Sequence, residues 1–261
     1  MKRVNSQSAS EHSWSGEKLS LLAIFARAED ELFGPAGTLA KYASEGIAVS
    51  LVAATHSHAQ EPADEPITPT RERSCACRAS GIRRACLFDF PPSELHRVAP
   101  EQIEERLVRL IREVRPHVIV TFAPEGITRA ADNQAIHHAA TAAFHHASDA
   151  TQFAHHLREG LRAHAAQKFY HCVLPASLVA RWGVAGLNAV PDDRITTKLD
   201  VAAQSEAMKN ALYCQRQRAL DFIRRLTEDQ RVEWNTEYYI LIESRLRRKS
   251  RREKDLFAGL R

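Results

Sequence analysis

Three carboxylates in a row, Glu29-Asp30-Glu31, follow the apolar run Leu19–Ala26 and precede Gly34, Gly37, Thr38, Leu39 and Ala40. Carboxylates can hold a divalent cation or take a proton from water. Arg27, beside them, can neutralise them instead. The apolar run reads as a buried strand, and the pattern through Tyr42 reads as a helix. The cluster therefore falls at a strand's carboxyl end, where open α/β sheets bind ligands. A second polar set, Asp132-Asn133 with Ala130 ahead and His137 behind, follows the apolar strand Val118–Phe122 through a turn at Gly126. Acids in a helix's first turn are also favoured by the helix dipole without any site, so both readings stay open on these residues alone.

Strand-like and helix-like runs alternate along the chain. Strands are expected at 19–26, 47–54, 85–90, 118–122, 169–174, 196–201 and 237–243. Helices are expected at 31–45, 71–80, 100–115, 132–148 and 204–226, with a Pro-rich surface loop at 59–70. The clearest helix carries Ile103, Leu107, Leu110, Ile111 and Val114 on one face, opens on Pro100 and stops before Pro116. Gly46 suits the left-handed residue after the first helix. Such alternation implies right-handed crossovers. The expected fold is α/β: a single-domain, Rossmann-like three-layer sandwich with a mainly parallel sheet.

Composition narrows the classes. The 261 residues are 44% hydrophobic with a net charge of +4, ordinary values for one globular domain. The first seventeen residues are polar and read as a leader rather than a signal peptide. The domain is expected over 18–245, followed by a basic tail over 246–261. That tail could serve an electrostatic partner, but no aromatic interleaving or motif supports nucleic-acid binding. No run is long and apolar enough for a membrane span, and a soluble cytoplasmic protein is expected. Five cysteines make no disulfide or zinc framework and are expected as free thiols. The 13 histidines include His137, His138, His145, His146, His155, His156 and His164, none in a zincin pattern. They are expected at the surface or half-buried, flanking a helix core face of Ile136, Ala139, Ala140, Ala143 and Phe144. His56 and His58 are the candidates for a relocated metal.

Both polar sets resemble the PIG-L/LmbE-like zinc-dependent N-deacetylase superfamily (the GlcNAc-type deacetylases), and the likeness runs from about Leu19 to Glu243. That family's first motif reads Ala-His-Pro-Asp-Asp-Glu-x-x-Gly-x-x-Gly-Thr-Leu-Ala. Here Arg27 stands at the His, Ala28 at the Pro and Glu29 at the first Asp, while Asp30 is kept. The later motif, Gly-x-x-Gly-His-Pro-Asp-His-x-Ala-Ile-His, is met by Gly126 to His137: Ala130 replaces the first His, Asp132 is kept, and Asn133 replaces the second His. A third segment ending in His is met by Lys209 to Arg216, with Gln215 at that position.

The resemblance implies a zinc held by the first-motif His and second Asp and the last His of His-Pro-Asp-His, with the first Asp as base. On this chain those positions are Arg27, Asp30, Asn133 and Glu29. Arginine has no lone pair for a metal and would repel it, and an amide oxygen suits hard cations better than zinc. Asp30 is thus the only retained ligand. The expectation is a catalytically degenerate member, a pseudoenzyme with no metal, in which Arg27 pairs with Glu29, Asp30 or Asp132. Its pocket, formed by Arg27, Asp30, Ala130, Asn133 and Gln215, would take a small polar or amino-sugar ligand. The alternative is an active hydrolase removing acetyl from an N-acetylated amino sugar, with Glu29 as base, Asp30 and Asn133 on zinc or another divalent metal, and Asp132 in support.

Overall fold

The computed structural model describes residues 18–27, 30, 34–55, 77–82, 84–214, 233–246 and 252–261. The expected leader, the loop at 59–70, most of the helix at 71–80 and the second half of the helix at 204–226 lie outside them.

Seven strands form one sheet: β1 (Ser20–Phe25), β2 (Ala48–Thr55), β3 (Arg84–Phe90), β4 (Val118–Phe122), β5 (Lys168–Val173), β6 (Thr197–Asp200) and β7 (Thr236–Ser244). Their order is β3-β2-β1-β4-β5-β7-β6. The first five are mutually parallel, and β7 runs antiparallel to both β5 and β6. The described helices are α1 (Ala36–Ser44), α2 (Pro100–Val114), α3 (Ala131–His146), α4 (Ala154–Arg158), α5 (Ala176–Trp182) and α6 (Ser205–Cys214). The short α4 and α5 had no counterpart among the expected elements.

The three layers follow from the alternation of side chains along a strand. In β1, Leu21 and Ala23 join a core with Leu39, Tyr42, Tyr170 and Met208, on the face carrying α1 and α6. Leu22 and Ile24 join the other core with Ile103, Leu107, Ile111, Ile136 and Phe144 from α2 and α3. Burial of both faces explains why β1 is apolar at nearly every position. Helix α2 opens on Pro100 and ends at a left-handed Arg115 ahead of Pro116. Gly46 takes its positive φ of 83° after α1.

Two tertiary contacts fix the elements around the first motif. The N-terminus of α1 is capped from 200 residues away: Glu237 of β7 accepts the backbone N–H of Gly37 at 2.7 Å and of Thr38 at 2.9 Å. This satisfies donors that a helix start leaves open. A side chain at Gly37 would place its Cβ 2.6 Å from Val201 and 2.9 Å from Glu237, so that glycine serves close packing. Burial pushes the Glu237 carboxyl up to about 7, opposed by its bonds from Thr38, Gly37 and Tyr239.

The end of the chain corrects the expected tail. Residues 252–261 dock on the sheet, with Leu256 and Phe257 fully buried. Lys168 of β5, itself 1% exposed, donates to both Glu253 oxygens at 3.0 Å and to the carbonyls of Leu256 and Ala258. Tyr42 donates to Asp255 at 2.8 Å, and Arg261 closes on Asp255 at 2.7 Å. Leu256, Phe257 and Leu260 with a buried ion pair outweigh the charge run that suggested solvation.

Candidate functional site

Strand order reverses between β1 and β4, and both motifs leave the sheet at that crevice. The two strand ends are tied by Thr121 Oγ1 donating to the Ile24 carbonyl at 2.9 Å and by the Phe25 and Phe122 rings, 4.6 Å apart. After β1 the chain turns on Asp30. The Asp30 N–H meets the Arg27 carbonyl at 3.2 Å, and the Arg27 N–H meets Asp30 Oδ2 at 2.9 Å. The Arg27 guanidinium then reaches Asp30 Oδ1 at 3.3 Å. Residue 27 therefore engages both oxygens of a carboxylate that is 3% exposed. Gly34 brings the motifs together: a Cβ there would lie 3.0 Å from Phe122 and from Cys172, and 3.6 Å from Ile127 of the second loop.

The second loop turns at Gly126, with φ 65°, and packs so close to Asn133 that a Cβ would stand 2.9 Å from it. Asn188 braces the loop through its backbone N–H to the Ile127 carbonyl at 2.9 Å. Ala130 occupies the N-cap of α3 without a side-chain bond, where a polar residue would ordinarily cap. Asp132 and Asn133 sit buried in the first turn. Asp132 turns to His96: its Oδ1 accepts the backbone N–H of His96 at 3.3 Å and meets His96 Nδ1 at 3.0 Å. Asn133 Nδ2 donates to Thr128 at 3.4 Å, and its Oδ1 is buried with no donor among the described residues. Glu29, Gln215, His56 and His58 lie outside the described residues. His96 is the residue that motif reading missed. It lies in the turn Leu95–Arg97, anchored by the fully buried Leu95, and no spacing relation to either motif marks it.

Two histidines lie deeper than expected. His137 donates from Nδ1 to the Phe122 carbonyl at 2.9 Å, and His171 of β5 packs its ring 4.8 Å from it. Burial lowers the His137 pKa and pushes His171 down to about 3, so both rings are neutral at pH 7. His156 is fully buried, which also departs from the surface reading.

The chemistry of the donors does not fit zinc at the crevice. Among the described residues, Asp30 already holds a fixed cation, and catalytic zinc needs three protein donors. A second group, Glu105, His155 and His156, brings ligand atoms within 4.8 Å of one another. There Arg112 Nη1 stands 3.2 Å from His156 Nδ1. A guanidinium can only donate, so Nδ1 accepts and the proton sits on Nε2, which is then no metal ligand. His155 Nε2 lies 2.6 Å from Glu105, and the cluster joins α4 to α2. Arg112 completes that joint by donating to the carbonyls of His146, Ala147, Asp149, Gln152 and Phe153.

The family profile described as PIG-L, GlcNAc-PI de-N-acetylase, matches residues 22–147. A 1D-myo-inositol 2-acetamido-2-deoxy-alpha-D-glucopyranoside deacetylase 2 of Saccharopolyspora erythraea is 28% identical over 279 residues, covering 92% of this chain and 100% of that protein. A similarly described deacetylase of Kineococcus radiotolerans is 28% identical over 154 residues, covering 46% of this chain and only 43% of that protein. In structure, N,N'-diacetylchitobiose deacetylase from Pyrococcus horikoshii aligns with a TM-score of 0.61 at 13% identity, covering 85% of this chain and 83% of that one. No described helix is long and apolar enough to cross a membrane. With motif-bearing strand ends at the switch-point crevice, the chain is similar to the PIG-L/LmbE-like deacetylases in the profile match over residues 22–147, in these relatives and in its fold.

Proposed function

We propose that this protein keeps the family's cleft as a binding site for a small polar, amino-sugar-like ligand and has lost zinc-dependent deacetylation. The observation that carries this reading is the Arg27–Asp30 pair. Both carboxylate oxygens are held by residue 27, so a guanidinium neutralises the charge that a divalent ion would otherwise meet. A buried carboxylate without any cation would be costly, and Arg27 removes that cost permanently because it does not titrate. The relatives described as amino-sugar deacetylases support the ligand class. Action in the cytoplasm is part of the same proposal.

One observation favours a second reading. Asn133 Oδ1 is a buried oxygen with no donor among the described residues, and a hard divalent ion could meet it. That reading makes the protein an active metal hydrolase with Glu29 as base, Asp30 and Asn133 on the ion, and Asp132 in support. An acetate-release assay on an N-acetylglucosaminide separates the two. The proposal expects no release above a denatured control, with or without added zinc. Chelator-sensitive acetate release from the unaltered protein would refute it.

A further inference from the structure

The turn Leu95–Arg97 belongs to neither motif, yet it delivers an imidazole to the second one. We propose that His96 is the ligand-facing base of this site, oriented by Asp132 and supplying from another segment the imidazole that the second motif lacks at Ala130. The assignment rests on the reading that this crevice takes an amino-sugar-like ligand; it does not depend on whether a metal binds.

Asp132 fixes the ring. Its Oδ1 faces both the backbone N–H of His96, at 3.3 Å, and Nδ1, at 3.0 Å. An ionised carboxylate only accepts. Nδ1 therefore carries the hydrogen, and the neutral ring keeps its lone pair on Nε2. The Asp132 side chain is 6% exposed and that of His96 is 38% exposed, so a buried carboxylate holds a ring that reaches solvent. A base held through one nitrogen by a buried carboxylate, with its lone pair on the other, is pre-oriented to take a proton or a hydrogen bond.

A second feature on the same helix turn points to the ligand's chemistry. Asn133 is 1% exposed, and its Oδ1 meets no donor among the described residues. An acceptor buried without a hydrogen is unfavourable unless a bound molecule supplies one. His96 Nε2 and Asn133 Oδ1 are both acceptors. They ask for a ligand rich in hydroxyl, amine or amide hydrogens, which is the amino-sugar class, and they give a phosphate or carboxylate nothing to bind.

Nuclear magnetic resonance on the full chain tests this, with glucosamine and inorganic phosphate as probes. In the unliganded protein the neutral His96 ring is expected as the Nδ1–H tautomer. Glucosamine should move its Nε2 resonance, and phosphate should leave it in place. His96→Ala should weaken glucosamine binding about tenfold. Asp132→Asn, which keeps the ring but frees its tautomer, should weaken it less. An Nε2–H ring in the unaltered protein overturns the assignment without involving any variant. A ring that glucosamine leaves still while the Arg27 side-chain signal moves overturns the role of His96 and leaves the cleft reading standing. Stillness of both signals overturns the two together, and an equal response to phosphate overturns the donor-rich ligand class.

Discussion

At the scale of single residues, position 27 carries the proposed loss of metal chemistry. A histidine there could share a metal with Asp30; the guanidinium instead spans to Asp30 Oδ1 while the backbone N–H holds Oδ2. The exchange should be reversible on this frame, because Asp30 and the loop bearing Asn133 still leave adjacent strand ends. Arg27→His with Asn133→His should raise zinc affinity by more than about a hundredfold, since even outer-shell partners of a metal are worth 10–100-fold. Competition against a chromophoric chelator measures this, and an unchanged affinity would mean the frame has collapsed. Adding Ala130→His and Glu29→Asp is needed before deacetylation is expected. The placement of 27 and 30 after β1, and of 130, 132 and 133 at the start of the helix after β4, was legible in the sequence because two motif frames flank them. His96 was not: its meeting with Asp132 is made by the fold, through a turn whose only sequence mark is the buried Leu95.

At the scale of elements, the strands and α2 were legible because period-2 and period-3.6 patterns report burial directly. The direction of β7 and its capping of α1 were not, since neither leaves a periodic trace in the sequence. The interface between α3 and β5 hides a further consequence. His171 packs on His137 there, with Nε2 buried and no partner among the described residues. Unfolded, the ring takes a proton near pH 6.5, but folded only near 3. The stability gained from keeping it neutral is complete above pH 6.5 and is lost as pH falls toward 3. Between pH 7 and pH 5 the protein should lose about 2 kcal/mol from this ring. Urea unfolding at both pH values, compared with His171→Leu, isolates that loss. Equal pH dependence in the two proteins would contradict it.

At the scale of the whole molecule, the fold is like that of a solved deacetylase, and the sheet order reverses between β1 and β4. The three-layer architecture followed from strand–helix alternation. The docking of residues 252–261 did not, because the run of basic residues hid Leu256 and Phe257, whose burial only the folded sheet provides. The central claim is electrostatic, and the zinc content of the purified full-length protein tests it most directly. After exhaustive dialysis against metal-free buffer without chelator, elemental analysis should find far less than one zinc per chain. About one zinc per chain, lost when Asp30 is changed to Ala in a protein that still folds, would contradict the account.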